Sequence, residues 1–298
     1  MKTNDLKMPT YGGQALIEGV LMRGNKYLAA AFRKPDGEIV IQTEQLGKIY
    51  QSKIKKIPFL RGLVILWDAL GLGSKYLTIS ANHQTEDENE KIEGPALYMT
   101  LILSFAVAIL LFFLGPALIG KGLERWLGFN SIVQNLIEGV VRLIFVITYI
   151  WGIGKMPDIA RVFSYHGAEH KTINAFESNA PLTPYEVKNF SLQHPRCGTA
   201  FILYVVLISI IIFTFIGQTS WLILIISRII LIPFIAMLAY EYIRWTADRL
   251  DNPIVQLMAK PGLWLQKLTT REPDESILEI SIAAFNAMYE LEKAPASD

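Results

Sequence analysis

The chain has 298 residues, 52% of them hydrophobic and 18% charged, with a formal net charge of +1 and a mean hydropathy of +0.33. That is too apolar for an ordinary soluble domain, and so little net charge gives a nucleic-acid partner no electrostatic support. A single cysteine, Cys197, excludes an internal disulfide and with it a disulfide-stapled secreted fold.

The first ten residues, MKTNDLKMPT, are polar and lack the apolar core of a cleavable signal peptide, so none is expected. Residues 12–50 read as a small β unit. KYLAAAFR and EIVIQTEQ flank KPDG, which carries turn chemistry. GGQALIEGVLMRG precedes them, with glycines suited to tight turns or close backbone approach. No P-loop or dinucleotide fingerprint is present. Glu18 and Arg23 within this run either reach an active site or face solvent from alternate strand positions. If the β unit packs over the HGAEH segment further along, Gln14 joins them as a candidate.

Residues 57–73, IPFLRGLVILWDALGLG, are apolar but short for a span, which suits an interfacial or re-entrant helix. ANHQTEDENEKIEG follows as a mobile acidic linker, with His83 expected to be exposed and without a partner. Four windows then approach the ~20 apolar residues needed to cross a bilayer. They are Met99–Gly120, Ile132–Ile153, Thr199–Gly217 and Trp221–Tyr240.

Lys and Arg concentrate in residues 1–98, 154–198 and 241–298, with few in the link 121–131 and none in the turn near Gln218. The positive-inside rule therefore places those three segments, and both termini, in the cytoplasm. Charges inside the spans need partners. Glu138 and Arg142 are spaced as an i,i+4 pair, and Arg228 lies at a depth where it could bridge to Glu138. Such charges are either functional or a structural pair that fixes helix register.

The segment YHGAEHKT, residues 165–172, carries the chemistry. HGAEH fits H-x-x-E-H, the inverse of a zinc-protease signature. On a helix, His166 and His170 stand one above the other and can converge on one divalent metal, zinc first. Glu169 then lies near the open coordination position and can act as a general base. Glu177 shares that helix face about 10 Å further along the axis, within reach of a substrate.

Two histidines do not complete a site. QHPRCGT supplies His194 and Cys197, whose spacing lets both converge from one turn. A closed set of three histidines and the cysteine would be structural. If one member stays out, a position remains open for water. Arg161, Lys171 and Arg196 flank the group and could suit an anionic substrate. A peptide substrate is equally consistent.

The tail 244–298 ends in an amphipathic helix, ESILEISIAAFNAMYELEKA, started by Pro273 and Asp274. Trp264 suits the membrane interface or packing on the β unit. The whole reads as a mainly α membrane protein of about four transmembrane helices, with a small N-terminal β unit and cytoplasmic helical segments. Its divisions are 1–98, helices one and two in 99–153, the histidine loop 154–198, helices three and four in 199–243, and the tail.

The blocks GGQALIEGVLMRG, RVFSYHGAEHKTINAFE, HPRCGTAF and DNPIVQLMAKPGLWLQKLTTREPD resemble the bacterial YqhQ family of uncharacterised membrane proteins, over nearly the whole chain. Members are described as predicted metal-dependent enzymes. The resemblance implies His166 and His170 as ligands and Glu169 as base, in a multi-pass protein of the bacterial inner membrane. It implies no substrate.

Three functions fit. The first is a metal-dependent hydrolase at the cytoplasmic face. The second is a thiol enzyme with Cys197 as nucleophile and a histidine base. The third is a non-enzymatic scaffold, channel or transporter subunit with a structural metal. Four spans are few for a transporter, so that last reading requires a homo-oligomer.

Overall fold

The computed structural model describes residues 11–47, 57–85, 91–215 and 221–294. The β unit is a four-stranded antiparallel meander of β1 (Gly12–Leu16), β2 (Gly19–Arg23), β3 (Tyr27–Arg33) and β4 (Ile39–Gln45), in spatial order β1-β2-β3-β4. The KPDG turn is closed by Asp36, whose carboxylate accepts from the Glu38 amide at 2.9 Å. Gly37 takes the left-handed conformation there at φ +91°.

Helices cover both faces of this sheet, which explains why YLAAAF, residues 27–32, is apolar throughout rather than alternating. Val20, Met22, Ala29 and Ala31 pack on helices α4 (Pro157–Glu177) and α9 (Glu275–Lys293). Leu16, Leu21, Leu28, Ala30 and Phe32 pack on α1 (Leu60–Asn82) through Leu72, Tyr76 and Ile79. Asp274 caps α9 as its sequence suggests, accepting from the Ile277 amide at 2.9 Å.

Helix α1 runs well past the apolar stretch 57–73. Its second half needs only the stripe 72/76/79 to cover the sheet, so the sequence there looks polar. Its first half meets α7 (Trp221–Ala247) through the Arg61–Glu241 ion pair. His83 is not the free loop residue expected: its ring lies 4.7 Å from that of Phe32. Residues 86–90 of the linker lie outside the described residues.

Among the described residues, three helices are long and apolar enough to cross a membrane: α2 (Gly94–Leu127), α3 (Ser131–Ile153) and the Ile230–Ala247 part of α7. Many apolar side chains of α2, such as Met99, Ile102 and Leu103, are exposed, which suits a lipid solvent. A one-turn helix, α5 (Pro184–Val187), follows α4, and the third expected span forms α6 (Gly198–Thr214). At 17 residues it is about 26 Å long, short of the ~30 Å hydrocarbon core. α8 (Pro253–Thr269) packs on α6 and α7, so Trp264, half exposed, is carried there and not on the sheet.

The charges expected within the spans form the pair their spacing suggests. Arg142 Nη2 donates to Glu138 Oε1 at 2.6 Å, and both side chains are almost fully buried. Arg142 also donates to Phe112 O at 2.9 Å and to Ser209 Oγ at 3.0 Å. Phe112 lies in a π-helical stretch of α2, Leu110–Leu114, where the regular helical ladder is interrupted. The guanidinium thus satisfies backbone that lipid cannot. The Arg228 side chain, expected as a second partner for Glu138, lies outside the described residues.

Arg142→Leu would leave Glu138 buried without this partner and is expected to cost about 3–5 kcal/mol. Arg142→Lys, which keeps a charge but not the three-way fork, is expected to cost less. Thermal unfolding in detergent micelles measures both.

Candidate metal centre

Helix α4 begins with Pro157 in its first turn and carries His166, Glu169 and His170 on successive turns. The two imidazole rings lie with centroids 4.4 Å apart. Each Nδ1 meets a backbone carbonyl: His166 with Thr269 O at 2.8 Å, His170 with Leu192 O at 2.6 Å. A carbonyl only accepts, so each Nδ1 carries the proton and donates. Both Nε2 atoms are thereby left as lone-pair donors to a metal or acceptors of a proton. His170 is 1% exposed and its Nε2 has no hydrogen-bond partner.

Cys197 is the N-cap of α6, its Sγ accepting from the Thr199 amide at 3.4 Å. The sulfur stands 3.2 Å from His166 Nε2. Ligand atoms of His166, His170 and Cys197 all lie within 4.8 Å of one another, the one such grouping among the described residues. Atoms around a tetrahedral zinc stand about 3.3–3.8 Å apart, so small side-chain adjustments close the set. Two imidazole nitrogens and a thiolate are a donor set that zinc favours.

His194 stays outside this grouping. Its ring is 5.7 Å from that of His170, and its Nε2 faces Glu177 Oε2 at 3.7 Å and Arg196 Nη2 at 3.3 Å. Burial holds its imidazole toward the neutral form, opposed by Glu177. Its backbone is clamped from both sides by Gln266, through bonds of 2.9 Å to N and to O. That clamp sets the turn delivering Cys197.

Glu169 Oε2 lies 3.5 Å from His170 Nε2 and 4.0 Å from His166 Nε2. Burial pushes its carboxyl up, opposed by His166, His194 and a hydrogen bond from the Gly13 amide. The β unit therefore packs over the HGAEH helix, and β1 touches the carboxylate through its backbone. A Cβ on Gly13 would stand 2.7 Å from Glu169 Cγ and 2.7 Å from Leu21 O, so only glycine permits this approach.

The remaining candidates divide. Glu177 pairs with Arg196. Burial pushes the Glu177 carboxyl up, but His194 and Arg196 beside it bring it below the usual range. Glu18, at φ +52°, pairs with Arg161 and accepts from Tyr165 Oη at 3.1 Å, pinning the first half of α4 rather than the metal-facing half. Arg23 is half-buried, in register with Gly12 and Leu28. Gln14 packs against α1 at Gly73. Lys171 is buried, bonded to Glu272 at 2.5 Å and to Lys188 O at 2.6 Å. Arg161, Lys171 and Arg196, expected to draw an anion, are thus each matched by a carboxylate, which weakens that expectation.

Residues 57–291 match the family model described as "Protein of unknown function (DUF1385)". The chain is also 35% identical over 300 residues to "Uncharacterized protein YqhQ" of Bacillus subtilis (strain 168), covering 95% of this chain and 93% of that protein. The chain belongs to the YqhQ family. No solved structure matches it. The family match spans the histidines, Glu169 and Cys197, whereas Gly13 lies before it.

Two determinants of the centre escaped the sequence reading. One is the pair of carbonyls at Leu192 and Thr269, which carry no residue signature. The other is Gly167, inside HGAEH. A Cβ there would stand 2.2 Å from Arg271 O and 2.8 Å from Leu192 Cδ2. The segment after α8 therefore crosses α4 at Gly167, where it brings Thr269 O to His166. A glycine in mid-helix, about 1 kcal/mol worse than alanine, was the available signal. Gly167→Ala is expected to lower stability by about 1–3 kcal/mol. Gly12→Ala, with nothing within 4 Å of the added Cβ, should leave it unchanged. Paired melting curves test the contrast.

Proposed function

We propose that this family member binds one divalent metal, zinc first, through His166, His170 and Cys197, and works as a hydrolase at the membrane surface with Glu169 as base. The observation that carries the reading is the shared tautomer. Both histidines donate Nδ1–H to backbone carbonyls, His166 turns Nε2 to Cys197 Sγ, and both Nε2 atoms stand within 4.0 Å of one Glu169 oxygen, the outer-shell pattern that orients metal-bound imidazoles. Three protein ligands leave a fourth position open, as catalytic zinc sites do.

When bound, the metal supplies Lewis acidity toward water or a carbonyl oxygen. Glu169 accepts the proton of the attacking water, and its elevated proton affinity suits that task. Gly13 N–H fixes the carboxylate's orientation. His194, Glu177 and Arg196 form a coupled polar group beside the centre that holds the HPRC turn in place. The distribution of Lys and Arg supports a cytoplasmic location for this centre, at the inner membrane.

A second reading has its own observation. The His166 Nε2–Cys197 Sγ contact of 3.2 Å is also the geometry of a thiol nucleophile and its base. Metal content separates the two. Protein purified without chelators is expected to hold about one equivalent of zinc by elemental mass spectrometry. His166→Ala and His170→Ala should lose it, while Glu169→Gln and His194→Ala keep it. Cys197 should then resist iodoacetamide until a chelator is added. Protein without metal, in which Cys197 alkylates at once, would sink the metal reading in favour of the thiol.

A further inference from the structure

The candidate centre lies against a sheet edge. β1 is an outer strand of the meander, and among the described residues no strand pairs with its far side. The two-residue turn Ile17–Glu18 is closed by the bonded pair Leu16–Gly19, so Gly13, an odd number of residues before Leu16, turns its N–H and C=O away from β2. Antiparallel pairs alternate in type along a strand, so Ala15, two residues on in the same register, points its N–H and C=O the same way. Gly12 and Gly13 are solvent-exposed.

Sheet edges are a hazard that proteins guard with charge or proline. The opposite edge strand follows that rule: β4 carries Glu44, bound to Lys75 at 2.6 Å and to Tyr76 Oη at 2.9 Å. β1 reads GGQAL, with neither charge nor proline. The unguarded edge is the one beside Glu169. The cations near the centre are matched by carboxylates, which argues against a phosphate-bearing substrate.

We propose that the edge of β1, through Gly13 C=O and the N–H and C=O of Ala15, receives an extended polypeptide segment as an added strand and lays its backbone beside Glu169, which lies against Gly13. Strands pair about 4.8 Å apart, so a segment on this edge passes alongside the carboxylate that Gly13 holds. This substrate class rests on the metal-hydrolase reading above. Amide hydrolysis consumes one water. Its oxygen bonds to the carbonyl carbon, the C–N bond breaks, and the proton taken by Glu169 passes to the departing amine. The segment lies beside Gly12, Gly13 and Ala15, which offer it little side chain, so recognition runs through the backbone and is tolerant of sequence.

The test uses the full-length, zinc-supplemented protein in detergent, in a Glu169→Gln background that prevents turnover. A photo-crosslinking p-benzoylphenylalanine replaces Gly12, where an added side chain meets nothing within 4 Å. A control protein carries it at Asp36, in the β3–β4 turn. Fluorescein-labelled β-casein, a chain without stable fold, is the probe. Labelling at position 12 is expected to exceed that at position 36 about tenfold, and Ala15→Pro, which removes the outward N–H, should reduce it by a similar factor.

Equal labelling at the two positions, or full labelling in Ala15→Pro that retains zinc, overturns the proposal. If Ala15→Pro fails to fold, the comparison of positions 12 and 36 decides alone. Zinc present without labelling at position 12 removes the docking edge and leaves the metal reading standing. Preferential labelling in protein that binds no zinc does the reverse.

Discussion

Two backbone carbonyls, Leu192 O and Thr269 O, fix the chemistry of the centre. Imidazole has two nitrogens, and a neutral ring offers a lone pair from only one. By accepting from Nδ1, these carbonyls leave both Nε2 lone pairs free within the grouping with Cys197, each within 4.0 Å of one Glu169 oxygen. Neither carbonyl belongs to the histidine helix. One comes from the loop before Cys197 and the other from the end of α8, so the tautomer depends on three separated segments meeting. Much of the local packing serves that meeting. Gly167 lets the chain at Arg271 cross α4, Gln266 holds the turn at His194, and Lys171 ties α4 to both neighbouring segments.

The sheet plays a related part from the other side. A four-stranded meander with apolar residues on both faces cannot stand alone in water. α1 covers one face, while α4 and α9 cover the other. That sandwich fixes the distance between β1 and α4, and Gly13 reaches Glu169 as a consequence. The family model begins only at residue 57, after the sheet has ended. A carboxylate within the matched region is therefore oriented by a strand that lies outside it, and β1 joins the centre by backbone rather than by side-chain identity.

Features governed by local chemistry were legible in the sequence. The KPDG hairpin, the Asp274 cap, the Glu138–Arg142 spacing and the helical register of HGAEH all depend on residues within four positions of each other. So was the joining of Cys197 to the histidines, because one cysteine and clustered histidines are conspicuous in so apolar a chain. What sequence could not supply was long-range. His194 has the right spacing from Cys197, yet it turns to Glu177, a charge that local spacing does not place beside it, with Arg196 of its own turn completing the group. Glu18 reads as a candidate for the centre but meets Arg161, more than a turn away along α4 from His166. The length of α1 was hidden for a different reason: a helix covering a sheet with one stripe carries few apolar residues per turn.

The same division holds inside the membrane-length helices. Glu138 and Arg142 were visible as a pair, but the reason an arginine stands there was not. The π-helical stretch LLFFL of α2 interrupts the regular ladder directly before Gly115–Pro116, and Pro116 has no N–H to give to Phe112 O, four residues earlier. In water such a stretch could be solvated. In hydrocarbon it needs a donor from the protein, and Arg142 provides one to Phe112 O while Glu138 offsets its charge. Arginine serves this geometry where lysine would not, because its planar fork reaches the carbonyl, the carboxylate and Ser209 Oγ at once. The π-helical stretch of α2 and the ion pair in α3 therefore form a single structural unit, and a substitution in either alone strains the other.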